Sequence, residues 1–328
     1  MLGAPWFDGG LPVVITGGRG FMGSHLALRL CAERPDGRVI AVDNNTRDCF
    51  GSLRVEVPAN LEFVNGDVRD PAAWMESVGP ASVVVHCAAL AGVSTYYEDP
   101  SAVLEVNGIG TFRLLECVRR APPSLFINLS TSETYGRDAA GADEAGPTPV
   151  GPVADPRWTY AASKVFADHL VFARVRRDGL KAVSLRPFNV YGPGQIGEGA
   201  IRIFCERALR GDVLSVTGDG SQTRSWLYVD DFVEAVLAVA ERPATWGSVF
   251  NVGDAATLVE TRELARRISE LAGLGSEMQF VPHPGQDVRS RWPKTEALRS
   301  ATGWAPTVGL DEGLRRTLAF WRRRAEEG

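Results

Sequence analysis

The chain has 328 residues, 45% of them hydrophobic and 23% charged, with a formal net charge of −5, the make-up of a globular protein large enough for one big or two ordinary domains. That charge offers no general attraction to nucleic acid, no stretch is apolar enough to span a membrane, and the first residues lack the basic and apolar regions of a signal peptide, so a cytoplasmic location is expected. Five scattered cysteines without C-x-x-C spacing and four histidines that never pair at ligand spacing lead to the expectation of no disulfide framework and no metal.

Val13-Val14-Ile15 is a β-branched run suited to a strand buried on both faces, and Phe21, Leu26 and Leu30 follow at near-helical spacing. Between them Gly17, Gly18, Gly20 and Gly23 let the backbone turn sharply and aim amide N–H groups from a helix N-terminus, which suits a pyrophosphate. The next strand, Arg38-Val39-Ile40-Ala41-Val42-Asp43, ends in an acid twenty residues beyond Gly23, where a carboxylate accepts from ribose hydroxyls. Asp43 therefore favours NAD over NADP, whose 2′-phosphate would meet a like charge, although Arg47 nearby keeps the second cofactor open. There is no Walker lysine and no G-x-S-x-G elbow, which removes the simplest ATPase and serine-hydrolase readings.

Leu61-Glu62-Phe63-Val64-Asn65 reads as a short strand leading to Gly66-Asp67-Val68. Asp67 has two readings, acceptor for an adenine amino group or N-cap of a helix beginning near Pro71. Ser82-Val83-Val84-Val85-His86 is the clearest strand in the chain, and the small residues of Cys87-Ala88-Ala89-Leu90-Ala91-Gly92 let a flat cofactor lie against the backbone. His86 reads as a packed core histidine. A helix over about 103–119 carries Leu104, Ile109, Phe112, Leu115 and Val118 as its apolar set, before the strand Leu125-Phe126-Ile127-Asn128-Leu129. The alternation implies an α/β fold built on a doubly wound parallel (Rossmann) sheet, with ligands at the carboxyl ends of its strands. Ser130-Thr131-Ser132-Glu133-Thr134-Tyr135-Gly136 crowds hydroxyls and a carboxylate at one such end.

Residues 137–157 show no periodicity, and their prolines exclude helix interior and central strand, so a long irregular connection is expected. It leads into Trp158-Thr159-Tyr160-Ala161-Ala162-Ser163-Lys164, the start of a helix to about 177, with Tyr160 and Lys164 four apart on one face.

The glycine turn, Asp43, Asp67, Thr131, Tyr135-Gly136 and Tyr160-x-x-x-Lys164 resemble the extended short-chain dehydrogenase/reductase family that acts on nucleotide sugars. The resemblance runs nearly end to end, for Arg186-Pro187-Phe188-Asn189-Val190-Tyr191-Gly192-Pro193 and Gly218-Asp219-Gly220-Ser221-Gln222-Thr223-Arg224-Ser225-Trp226-Leu227-Tyr228-Val229-Asp230-Asp231 fit its substrate-side motifs in order. It implies an NAD-binding domain over 1–190 and about 227–253, and a smaller discontinuous lobe for the nucleotide sugar over about 191–226 and 254–328. By the same resemblance NAD is held by Gly17, Gly20, Phe21, Met22, Gly23, Asp43, Asn44, Asp67, Val68, Ala88, Ala89, Tyr160 and Lys164. The sugar nucleotide would meet Tyr96, Asn189, Arg224 and Arg291, with Thr131, Ser132, Glu133, Tyr160 and Lys164 as the catalytic set. Family members commonly pair as homodimers through two helices, here those near 103–119 and 160–177.

A tyrosine ordinarily titrates near pH 10, and an ammonium one helical turn away together with a positive nicotinamide favours its phenolate, so Tyr160 is the candidate general base with Lys164 as its tuner. The family's common first step oxidises C4 of the sugar, with Thr131 sharing a hydrogen bond with the 4-hydroxyl. Three fates then separate: a 4-epimerase returns the hydride to the other face, a 4,6-dehydratase expels the 6-hydroxyl, and a glucuronate decarboxylase loses carbon dioxide from a β-keto acid. Thr131-Ser132-Glu133, Gln222-Thr223-Arg224, and Pro282-x-Pro284 followed by Arg291-x-Pro293 are most similar to UDP-glucuronate decarboxylases, since dehydratases tend to carry an aspartate where Ser132 stands and epimerases a small residue at Glu133. Arg224 is expected to face a carboxylate or the diphosphate. Against this, Trp226-Leu227-Tyr228 is closer to dehydratases, Lys294 replaces an acid, and Leu90-Ala91-Gly92 lacks the decarboxylase prolines. The expected reaction is UDP-glucuronate to UDP-xylose or UDP-4-keto-xylose, with dehydration or epimerisation as alternatives and a non-catalytic NAD(H) sensor as a remote one.

Overall fold

The computed structural model describes Gly3, residues 5–273, Gly275, and residues 277–282 and 288–327; Pro284 of the decarboxylase-like motif lies outside them. Strands β1 (Val13–Thr16), β2 (Val39–Asp43), β3 (Leu61–Asn65), β4 (Val83–His86) and β5 (Leu125–Leu129) form where the apolar runs stand. Every residue of β1, β2, β4 and β5 is buried, as strands covered on both faces require. Next come β6 (Asp138–Ala142), β7 (Ala182–Pro187), β8 (Val190–Tyr191), β9 (Leu214–Thr217), β10 (Thr223–Arg224), β11 (Leu227–Tyr228) and β12 (Val249–Val252). The last three are β13 (Val259–Glu260), β14 (Met278–Val281) and β15 (Ser290–Pro293).

Seven strands make one parallel sheet in the order β12-β7-β5-β4-β1-β2-β3. The direction of strand progression reverses between β1 and β4, which opens a crevice at their carboxyl ends. Helices flank the sheet: α1 (Phe21–Glu33), α2 (Cys49–Leu53), α3 (Ala72–Val78), α4 (Val93–Glu98), α5 (Pro100–Leu104), α6 (Gly110–Val118) and α7 (Thr159–Asp178) precede β7. Leu26 and Leu30 of α1 are fully buried in the core it shares with the sheet, each side chain contributing about 1.5–3 kcal/mol through burial. A second core gathers Phe204 of α8 (Ala200–Arg210), Val229 of α9 (Val229–Ala240) and Ile268 of α10 (Thr261–Ala272). Beyond α11 (Glu296–Thr302), Leu314 and Leu318 of α12 (Leu310–Glu327) join that second core.

Two expectations change. Residues 137–157 are not wholly irregular: β6 pairs in parallel with β15, Asp138 opposite Ser290 and Ala139 opposite Arg291. The sequence Asp138-Ala139-Ala140-Gly141-Ala142 has no β-branched residue, so only its distant partner makes it a strand. The helix expected over about 103–119 is interrupted by a π turn, Glu105–Ile109, between α5 and α6. There Asn107 is fully buried, its Oδ1 accepting from the Leu90 amide (2.8 Å) and its Nδ2 donating to the Leu90 carbonyl (3.0 Å). The widened turn lets one side chain satisfy both backbone groups of the loop after β4. Among the described residues no helix is long and apolar enough to cross a membrane, and no group of histidine, cysteine or acidic side chains could hold a metal ion.

Candidate active site

The crevice at the strand ends is a cleft of about 410 Å³. Every residue singled out from the sequence for cofactor, substrate or catalysis lines it, except Arg224. Arg224 stands on β10, next to Arg291 of β15 in register, and its Nη1 donates to the Thr223 carbonyl (2.9 Å). Since β15 lies between β10 and β6, the arginine that reaches the cleft is Arg291.

At one end the glycine turn forms a cradle. Gly17 has φ +67, and a Cβ there would sit 2.7 Å from the Ala88 backbone; a Cβ on Gly23 would sit 2.3 Å from the Gly17 carbonyl oxygen. Only glycine allows the loop after β4 and the start of α1 each to approach the turn after β1 so closely. Gly20 caps α1 without any side-chain bond, so the first amides of the helix stay open toward an anion. The cradle therefore fits a pyrophosphate.

Asp43 closes the next part of the cleft, accepting from the Arg19 amide (3.0 Å) and the Asn45 amide (2.8 Å). Burial pushes its carboxyl above the usual range, against the pull of those amides and of Arg19. Asp67 is not the cap of α3, whose N-cap is Pro71 with no side-chain bond. It pairs instead with Arg69, Nη2 to Oδ2 at 2.7 Å, and hydrogen bonds from Arg69 hold its carboxyl down to about 2.

At the other end α7 delivers Tyr160 and Lys164 from successive turns, both buried. Tyr160 stacks on Tyr96 of α4 at 5.2 Å between ring centres and 8° between planes. The Thr131 hydroxyl accepts from the Glu133 amide (3.2 Å) and shares a second hydrogen bond with the Tyr160 phenol. Burial and then the charge of Glu133 raise the Tyr160 phenol well above its usual range, with the Thr131 bond opposing them. Lys164 donates to the Leu129 carbonyl (2.8 Å), and burial lowers its ammonium to about 8 while Asp168 opposes. Among the protein's own groups the Thr131 bond is the one that lowers the phenol, and burial and Glu133 outweigh it; the expected pull toward the phenolate also counted the positive nicotinamide. His86, held between the hydroxyls of Thr16 (2.7 Å) and Thr111 (2.9 Å), is lowered by burial to about 3 and stays neutral.

Beside Tyr160 lies a cluster of charge. Arg291 Nη1 meets Glu133 Oε1 at 2.5 Å, and Arg157 Nη2 meets Oε2 at 3.0 Å. Burial alone would raise the Glu133 carboxyl, yet the two guanidiniums outweigh it and hold it down to about 2. Two cations thus face one anion, and Arg291 leaves both Nε and Nη2 buried without a hydrogen-bond partner. That edge of a guanidinium is the fork that grips a carboxylate or phosphate.

Sequence reading missed Arg157. Its only signal was its place three residues before Tyr160; Asp155 caps the short turn Pro156–Trp158 that turns Arg157 inward. Asn107 escaped notice for the same reason, since its partners lie seventeen positions away at Leu90. Asn189, expected to meet substrate, lines the cleft at φ +38 with its Nδ2 on the Ser225 carbonyl (2.8 Å).

The family model described as NAD dependent epimerase/dehydratase matches residues 13–253. A UDP-N-acetyl-alpha-D-glucosaminuronate decarboxylase of Bacillus cytotoxicus is 31% identical over 94% of this chain and 97% of its own length. A UDP-glucose 4-epimerase of Mycolicibacterium smegmatis is 35% identical over 95% and 99%. Among solved structures, a dTDP-glucose 4,6-dehydratase of Streptomyces venezuelae with NAD bound superposes with a TM-score of 0.85, 28% identity, and coverage of 97% of this chain and 98% of that one.

Proposed function

The chain belongs to the NAD dependent epimerase/dehydratase family, and on that premise we propose that it decarboxylates a nucleotide-activated hexuronic acid such as UDP-glucuronate after oxidation at C4. The coarser function, NAD-dependent modification of a nucleotide-activated sugar, belongs to the family as a whole. The observation that carries the finer reading is the unpartnered fork of Arg291 in a cluster with a surplus positive charge. Beside a neutral hydroxymethyl group that charge would be left to the diphosphate alone, whereas a C6 carboxylate supplies a further charge and two acceptors.

The residues divide the labour by position. Gly17, Gly20, Phe21, Met22 and Gly23 would hold the NAD pyrophosphate, Asp43 and Asn44 its ribose, Asp67 and Val68 the adenine side, and Ala88 and Ala89 the flat ring. Bound NAD supplies the two-electron oxidant for the C4 carbinol. With the positive nicotinamide of bound NAD and the Lys164 ammonium together favouring the phenolate that burial and Glu133 oppose, Tyr160 would take the 4-hydroxyl proton, and Thr131 would fix that hydroxyl. A C4 ketone places the C6 carboxylate β to a carbonyl, so the C5–C6 electron pair passes into an enolate as carbon dioxide leaves, and C5 then takes a proton. No acid need protonate a departing group.

Dehydration does need one, and this favours the first reading. Glu133, held at about 2, is ionised at neutral pH, and Ser132 stands where an acid would donate to the leaving hydroxide. The second reading, 4-epimerisation or 4,6-dehydration of a neutral hexose, has the epimerase and the NAD-bound dehydratase on its side, and the weight of the comparisons leans that way. Incubation with NAD⁺ and either UDP-glucuronate or a panel of neutral nucleotide hexoses, read by mass spectrometry, separates them. Loss of carbon dioxide supports the proposal; loss of water, or an isomer of unchanged mass, from a hexose with the uronate untouched replaces it.

The sugar-nucleotide lobe is assigned to about 191–226 and 254–328, with the rest binding NAD. A homodimer would cover Leu104, Ile109, Phe112 and Phe166, four large apolar side chains 41–46% exposed on neighbouring helices.

A further inference from the structure

Arg19 lies inside the glycine turn, between Gly18 and Gly20. Its amide donates to Asp43 Oδ2 at 3.0 Å, so its Cα stands next to the carboxylate assigned to the adenosine ribose. Its side chain is turned away. Nε and Nη2 bind Asp48 Oδ1 (3.2 Å) and Oδ2 (3.0 Å), and the guanidinium lies over the Phe63 ring at 4.3 Å. Asp48 is itself fixed, accepting from the Gly51 amide (2.9 Å) as the cap of α2. Neither Arg19 nor Asp48 lines the cleft. Arg47, the other arginine of this region, does line it, and donates to the Ala91 carbonyl and to Thr95 Oγ1.

A 2′-phosphate needs a cation within hydrogen-bond reach, and arginine is the side chain that supplies it. The turn carries such a cation in its own backbone neighbourhood and ties it elsewhere. We propose that Asp48 is a second determinant of cofactor choice: by pairing with Arg19 and holding it on Phe63, it withholds that guanidinium from the 2′ position of the adenosine ribose. Discrimination against NADP then has two parts, repulsion by Asp43 and the sequestering of Arg19 by Asp48. Removing the first alone leaves the phosphate without its counter-ion. Removing the second alone leaves the like charge in place.

This two-part logic is tested by a double-mutant cycle on cofactor binding, followed by fluorescence titration of NADPH and NADH without any substrate. Asp48→Asn keeps an oxygen for the α2 cap while losing the charge, and Asp48→Ser keeps the cap by another route should the first variant not fold. Asp43→Asn and Asp48→Asn together should tighten NADPH by roughly tenfold beyond the product of their separate effects, the size of one charge-assisted contact. Adding Arg19→Ala to the pair should remove that excess while NADH affinity changes little. Independent effects of the two substitutions, or an excess that survives Arg19→Ala, overturn the proposal.

Discussion

Arg291 and Glu133 meet at 2.5 Å across 158 positions of sequence, the glutamate beyond the end of β5 in the main sheet and the arginine on β15, held between β10 and β6. Glu133 is buried with its carboxyl held at about 2 against a usual 4.5. A carboxyl lowered on folding adds stability that is complete above its unfolded value and is lost as pH falls through its folded one. The window is therefore about 4.5 down to about 2, and the full effect is on the order of 3 kcal/mol. Wild-type protein should lose more stability across that window than Glu133→Gln, measured as urea midpoints at successive pH values. Parallel curves for the two proteins would mean that Glu133 is not held ionised by its arginines.

Tyr160→Phe should cut turnover by roughly 10²- to 10⁴-fold, the usual cost of losing a general base, with NAD affinity kept within a few-fold. Burial and Glu133 raise the phenol, and on the proposed role of Lys164 in offsetting them, Lys164→Met should move the rising limb of the pH–rate profile to higher pH. Near wild-type turnover in Tyr160→Phe would remove the tyrosine from the chemistry.

Gly17→Ala places a Cβ 2.7 Å from the Ala88 backbone at φ +67. Both faults act together, so the variant should lose at least about 2 kcal/mol of stability and most of its NAD affinity. Thermal melts with and without NAD check this: wild-type protein should gain stability on adding NAD, and the variant should not.

Phe112→Glu, alone or with Phe166→Glu, puts charge on the exposed apolar face of α6 and α7. Sedimentation velocity should show the wild type as a dimer and the double variant as a monomer that still binds NAD. A monomeric wild type would leave that face without the assigned partner.

The parts of this molecule legible in its sequence are those made by neighbours along the chain. The glycine turn, Asp43 at the end of β2 and the Tyr160–Lys164 spacing depend on strand-turn-helix geometry that a single segment already dictates. The parts that escaped depend on pairing across the fold. Asp138–Ala142 is a strand because β15 lies beside it, and Arg157 matters because Glu133 is there to meet it. Arg224 and Arg291 stand side by side in register, and only the order of their strands decides which one reaches the cleft. The π turn at Asn107 has the same origin, since a helical period says nothing about a loop waiting for two hydrogen bonds.

The place of Arg291 in the chain also sets an order of events during synthesis. A nascent polypeptide emerges from its amino end and folds as it grows, at roughly 5–20 residues per second. The glycine cradle, Asp43, Glu133, Tyr160 and Lys164 all precede β7, so a growing chain can assemble most of the cofactor pocket while β15 is still unmade. Some ten seconds, in order of magnitude, separate the translation of Lys164 from that of Arg291. During that interval Glu133 has Arg157 alone to neutralise it, and the cleft lacks the guanidinium on which the proposed choice of substrate rests. Cofactor capture can thus run ahead of catalytic competence, and the oxidant would be in place before any sugar could be committed to reaction.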